Sequence, residues 1–162
     1  MRFSAALANR PSLASHLALT ALLLCSTGLH AAPNPAVIFP DEQTILQMEQ
    51  HAAQASLRDQ AFLYTELVHT MTELAGHQML VGDTEQASAS LKRMAKYADL
   101  IHLGLTNDTK RLKNAELLMQ QTTFHLTGYL RATSGEDRES LQAALKQLNK
   151  VEDELMTQVF KH

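Results

Sequence analysis

The chain has 162 residues, 45% of them hydrophobic, with a formal net charge of −3 and a single cysteine. That length fits one domain with a real hydrophobic core, and one cysteine excludes a disulfide framework within the chain. The mildly acidic balance argues against nucleic acid and against anionic membrane surfaces as partners.

Arg2 and Arg10 flank a polar start, and Leu17 to Cys25 form a short apolar run. Ala31 and Ala32 close the segment just before Pro33. A basic start, a short apolar stretch and small residues at the exit have the form of a secretory signal peptide over residues 1–31. The run is shorter than the roughly 20 apolar residues that a spanning helix needs. Every later segment is interrupted by charge, so no transmembrane segment is expected in the mature chain. The protein is therefore expected to be exported, periplasmic or secreted, after cleavage near Ala31 or Ala32. Arg2 and Arg10 are not adjacent, which argues against the twin-arginine route. Cys25 resembles a lipobox cysteine, but Leu24 stands where that pattern wants a small residue, so lipidation is not expected. Cleavage removes the only cysteine and with it thiol catalysis, Cys-ligated zinc and covalent haem attachment. It leaves twelve Lys and Arg against 17 Asp and Glu, a net of −5.

Pro33, Pro35 and Pro40 hold residues 32–40 extended as a linker. From Asp41 to residue 162 there is no proline, and Ala, Leu, Gln, Glu, Lys and Met dominate. These are good helix formers, and β-branched alternation is absent. The spacing predicts a single all-α domain over 41–162. Its first helix is expected over about 41–81, with room for a break between Ala52 and Arg58. Gly82-Asp83 then gives a helix stop and an N-cap, with Gln86 three residues on. The second helix is expected over roughly 84–104, closed by a C′ glycine at Gly104. Asn107 or Asp108 caps a third over 107–132, and Thr133 with Glu136 has capping-box spacing before a fourth over 136–160.

Four apolar stripes accompany these helices. The first runs through Leu57, Tyr64, Leu67, Met71, Leu74 and Val81, the second through Ala87, Leu91, Met94, Ala98, Ile101 and Leu105. The third takes Leu112, Ala115, Met119, Thr122, Leu126 and Tyr129. The fourth takes Leu141, Leu145, Leu148, Val151, Leu155 and Val159. Short connections imply antiparallel neighbours around one shared core. The lysine and arginine clusters at Lys92-Arg93-Lys96 and Lys110-Arg111-Lys113 read as solvated faces.

Asp83-Thr84-Glu85 leading to Leu91 is echoed, 54 residues on, by Asp137-Arg138-Glu139 leading to Leu145, which suggests two hairpins of related design. Leu74-Ala75, Gly82-Asp83, Ala87 and Leu91 resemble the spacing of a tetratricopeptide repeat over residues 68–99. Gln78, Met94 and Asp99 depart from that pattern, and the 54-residue period is longer than the family's 34. The resemblance implies a helical hairpin; with the four stripes it leads to the expectation of antiparallel helical hairpins in a four-helix bundle or a TPR-like right-handed helical stack. The stretch from Asn107 to Glu116 looks like exported bacterial helical proteins of unknown function, a likeness that implies no activity.

The mature chain carries six histidines. Glu66, His69, Glu73 and His77 share one helix face, and Glu66-x-x-His69 resembles an element of di-iron bundles. Counting 100° per residue, however, these four lie about 160–240° from Met71, away from the apolar stripe. A second Glu-x-x-His is missing. The face reads as solvated. His102 and His125 lie at the edges of the second and third stripes, on helices that the Gly104–Asp108 connection is expected to pack together. With Asp99 or Tyr129 nearby they are the candidate metal ligands, against a plainer reading as satisfied interface histidines. Met71, Met94 and Met119 sit on core stripes as gap-fillers rather than Cu(I) ligands. No catalytic motif is present. The expectation is an exported, non-enzymatic interaction module without a cofactor, its partner a protein or peptide. The alternative is a metal- or b-haem-binding bundle built on His102 and His125.

Overall fold

The structure, a computed structural model, describes residues 40–105 and 110–161, with the backbone but not the side chain of Glu136. The expected signal peptide, the linker up to Phe39 and the expected Asn107 or Asp108 cap lie outside the described residues. Five helices follow in order: α1 (Glu42–Gln54), α2 (Leu57–Leu80), α3 (Thr84–Gly104), α4 (Leu112–Ala132) and α5 (Glu136–Lys161). No strand occurs among the described residues. None of these helices is long and apolar enough to cross a membrane.

Local chemistry sets the helix ends. The Asp41 carboxylate accepts the Thr44 N–H at 2.7 Å and opens α1, an N-cap that offsets one of the unpaired donors of the first turn. The expected break falls at Ala55 and Ser56, both extended, so residues 41–81 form two helices. The Ser56 hydroxyl donates to Asp59 Oδ2 at 2.6 Å across the first turn of α2. α2 ends in a Schellman motif, in which the Gly82 N–H reaches the Met79 carbonyl and the Asp83 N–H the Gln78 carbonyl. Gly82 has φ +82, the left-handed conformation this motif requires. Asp83 caps α3 by accepting the Gln86 N–H at 3.3 Å, as its spacing predicts.

Two expected boundaries are corrected. Gly104 is not a C′ residue but the last residue of α3, and a Cβ there would stand 3.3 Å from the Ala61 Cβ. It is glycine because α2 passes close. The third helix begins at Leu112 rather than 107, because Arg111 before it takes a left-handed φ of 58. The guanidinium of Arg111 lies 3.8 Å from the Phe62 ring centroid, a cation–π contact that holds the junction against α2.

α2 is the centre of the molecule, packed by α1, α3 and α4, while α5 packs on α3 and α4. Around the bundle the order is α2, α3, α5, α4, with α1 laid outside on α2. The expected adjacency of the second and third helices is therefore corrected: α3 and α4 stand across a diagonal and do not pack together. Helix axes about 10 Å apart make that diagonal roughly 14 Å, and seven residues from 105 to 111 span up to about 23 Å. A short connection thus permits a diagonal as readily as a neighbour. The Lys110 N–H closes the crossing on the Arg58 carbonyl at 2.8 Å.

The hairpins α2–α3 and α4–α5 consequently pack with like helices parallel. His69 meets Thr122 and Glu73 meets His125 along one seam. Gln147 meets Ala95, and Glu154 meets His102, along the other. The echo at 54 residues matches this spacing of partners, but residues about that far apart face each other. In a translational repeat they would face the same way, and here the four helices close on one another.

The core holds Leu67, Met71, Met94, Ile101, Met119, Leu126, Leu141, Leu148 and Leu155, all buried. Each such side chain contributes roughly 1.5–3 kcal/mol on leaving water. The α3 stripe is buried throughout, from Ala87 to Leu105. On α2 the expected stripe fits less well: Leu57 and Val81 are exposed, while Phe62, Thr65, Val68 and Thr72 are buried. A helix with three neighbours has no single buried face. Its buried hydroxyls bond their own helix, Thr65 to the Ala61 carbonyl and Thr72 to the Val68 carbonyl, both within 2.9 Å.

Candidate functional site at the α2–α4 seam

The polar face of α2 expected to meet solvent is the face that meets α4. Glu73 is its anchor. One carboxylate oxygen accepts His125 Nδ1–H at 2.5 Å, and the other accepts the Tyr129 hydroxyl at 3.2 Å. An ionised carboxylate has no proton to give, so both α4 groups are donors. The side chains of Glu73 and His125 are only 27% and 33% exposed, so water competes less for this hydrogen bond than for one at the open surface.

One turn earlier, His69 Nδ1 lies 3.0 Å from Thr122 Oγ1. Thr122 gives its single hydroxyl proton to the Leu118 carbonyl at 2.7 Å. Its oxygen must then accept from His69, which fixes the Nδ1–H tautomer on that ring. Burial is the main cause holding His69 below its ordinary pKa of 6.5. The Glu73 charge opposes that shift and the His125 ring adds to it. The two imidazole rings are 5.9 Å apart, centroid to centroid.

Tyr129 completes the seam through a glycine. A Cβ built on Gly76 would overlap the Tyr129 ring, so only glycine leaves room for the ring against α2. Burial first, and then Glu73, push the Tyr129 phenol up to about 12. It stays a neutral donor at any physiological pH.

Outside this network lies a cleft of about 370 Å³ lined by Glu73, Phe124, His125, Gly128, Tyr129 and Arg131 among others. The Phe124 ring at its edge is 75% exposed. Glu73 and His125 have the geometry of a base held by an orienting carboxylate. The remaining hydroxyl of the lining, on Thr127, donates to the Thr123 carbonyl of its own helix. No activated nucleophile stands among these lining residues.

The expected metal ligands fall in separate places. His102 pairs with Glu154 of α5 at 2.6 Å with its side chain 54% exposed, and Asp99 accepts Gln147 Nε2 at 2.8 Å. His125 stands on the opposite seam with Glu73. His102 on the α3–α5 seam and His125 on the α2–α4 seam are not brought together. Among the described residues no group of three or more His, Cys, Asp or Glu is placed to hold a metal ion. Sequence reasoning set His69 and Glu73 aside as solvated. The signal that could have found them is complementarity: α2 carries a polar patch at 69 and 73, and α4 carries one at 122, 125 and 129.

Fold and site together define an all-α bundle of two parallel-packed hairpins with a polar seam opening into a cleft. No protein-family model, curated protein or solved structure matches this chain.

Proposed function

We propose that the protein is an exported helical interaction module that holds a peptide segment of a partner protein in the α2–α4 cleft. The observation that carries this reading is the Phe124 ring, three-quarters exposed at the edge of a cleft whose other wall is rigidly hydrogen-bonded. A large exposed aromatic beside convergent polar groups is the composition of an interaction hot spot. Export rests on the basic, apolar and small-residue order of residues 1–31, and N-terminal sequencing of the exported protein tests it. The interaction reading is preferred to the metal- or b-haem-binding alternative because His102 and His125 pair with Glu154 and Glu73 on separate seams.

Photo-crosslinking in the compartment of export tests the reading. A benzoylphenylalanine at Thr127, in the cleft lining, is expected to give discrete protein adducts. The same group at exposed Lys146 on α5 is expected to give none. Equal or absent labelling from Thr127 rules out the cleft as the contact surface.

A further inference from the structure

Two glycines lie inside the helices that form the seam, and only one has a packing reason. Glycine is the least favourable ordinary residue of a helix interior. Gly76 is required by the Tyr129 ring. Gly128 is not: nothing lies within 4 Å of where its Cβ would stand, and its φ is not positive. Neither packing nor backbone geometry explains it.

Its surroundings do. Phe124, Gly128 and Arg131 follow at i, i+4 and i+7 on one face of α4, and all three line the cleft. The absent side chain leaves an open floor between an exposed ring and a guanidinium. The Arg131 side chain makes no ion pair or hydrogen bond among the described residues. A cation in the last helical turn is favourable in itself, so Arg131 alone would carry nothing. Its position beside a bare glycine and an exposed ring is what matters.

Resting on the interaction reading above, we propose that this cleft takes the C-terminal residue of a partner chain. The apolar side chain of that residue lies over Gly128 between Phe124 and Tyr129, and its carboxylate pairs with Arg131. Charge complementarity selects the carboxylate. Arg131 is the cation of the lining, without an ion pair among the described residues, while Glu73 is already committed to His125 and Tyr129 and repels an acid at the other end. Size selects a terminus. About 370 Å³ is at the small end of ligand sites, room for one or two side chains. Gly128 and Arg131 are separated by about 4.5 Å along the axis, close to the reach between a side chain and the carboxylate of one terminal residue.

The chain contains no tryptophan, so the emission of a tryptophan peptide reports its own binding. The probe is acetyl-Ala-Ala-Ala-Trp with a free carboxylate, compared with its C-terminal amide and with acetyl-Ala-Ala-Asp-Trp-amide. The free acid is expected to bind saturably and about tenfold more tightly than either amide. Arg131→Gln is expected to abolish that preference. Gly128→Leu is expected to weaken the free acid about tenfold while its Tm stays level or rises by a few degrees, because leucine favours helix at an open position. Equal binding of acid and amide, a preference that survives Arg131→Gln, or no saturation at millimolar peptide overturns the proposal. An aspartyl amide as tight as the free acid overturns the terminal assignment. Adducts from Thr127 without an acid preference leave the interaction reading standing and remove only this ligand class. An acid preference without adducts removes the interaction reading and, with it, a partner chain as the source of the carboxylate.

Discussion

The α2–α4 and α3–α5 seams join the same two hairpins in the same parallel sense, and their chemistry differs. On α3–α5, His102 stands half in solvent beside Glu154, and Gln147 bridges to the Ala95 carbonyl and Asp99. On α2–α4, the Glu73 carboxylate is bound twice, Tyr129 seats against Gly76, and His69 is tied to Thr122. The difference lies in the partners of the two carboxylates. The Glu73 and Glu154 side chains are about equally exposed, 27% and 26%. The histidines differ, His125 at 33% and His102 at 54%, and the second partner of Glu73 is the Tyr129 hydroxyl while that of Glu154 is the exposed Lys150 ammonium. A histidine–glutamate pair is thus a structural joint on one seam and a surface contact on the other.

The largest expected effect comes from filling the Tyr129 seat. Gly76→Val is expected to destabilise the fold by about 2–3 kcal/mol in urea unfolding, since the added atoms overlap the Tyr129 ring and displace it from its hydrogen bond to Glu73. A neutral result would mean that Tyr129 does not pack on α2. Next comes the anchor: Glu73→Ala is expected to cost about 2 kcal/mol by leaving two partly buried donors unpaired. Glu154→Ala is expected to stay within about 0.5 kcal/mol. Similar losses at both positions would erase the contrast between seams.

A smaller effect is carried by pH. Unfolded, His69 takes up a proton near pH 6.5; folded, it does so only at a lower pH, because burial outweighs the pull of Glu73. Between those values the unfolded chain binds more protons. This group's contribution to stability is therefore full above pH 6.5, declines as the pH falls through 6.5, and levels off below the folded value. Urea titrations at about pH 7.5 and about pH 5.5 should show the decline, and His69→Gln, which keeps a donor for Thr122, should reduce it. An undiminished decline in that variant would assign it to other groups.

The helices were legible because their signals are local. Asp83 with Gln86, Gly82 and the Ala52–Arg58 window act within one turn, and the α3 stripe is buried from Ala87 to Leu105. The seam was not legible. The polar face of α2 holds Glu66, His69, Glu73 and His77, and a lone helix with those residues on one side would turn them to water. What it meets instead is decided by α4, whose arrival across the diagonal no loop length specifies. The pairing of His125 with Glu73 rather than with His102 has the same origin. Gly128 was readable as a residue but not as an anomaly until the space above it was known.

The most direct test of the account is a pair of double-mutant cycles measured by urea unfolding, Glu73 with His125 and Glu154 with His102, each residue replaced by alanine. A joint whose histidine is two-thirds buried predicts a coupling of at least about 1 kcal/mol for Glu73–His125, against less than about 0.5 kcal/mol for Glu154–His102, whose histidine is half exposed. Equal couplings, or the larger one on the α3–α5 seam, would contradict it.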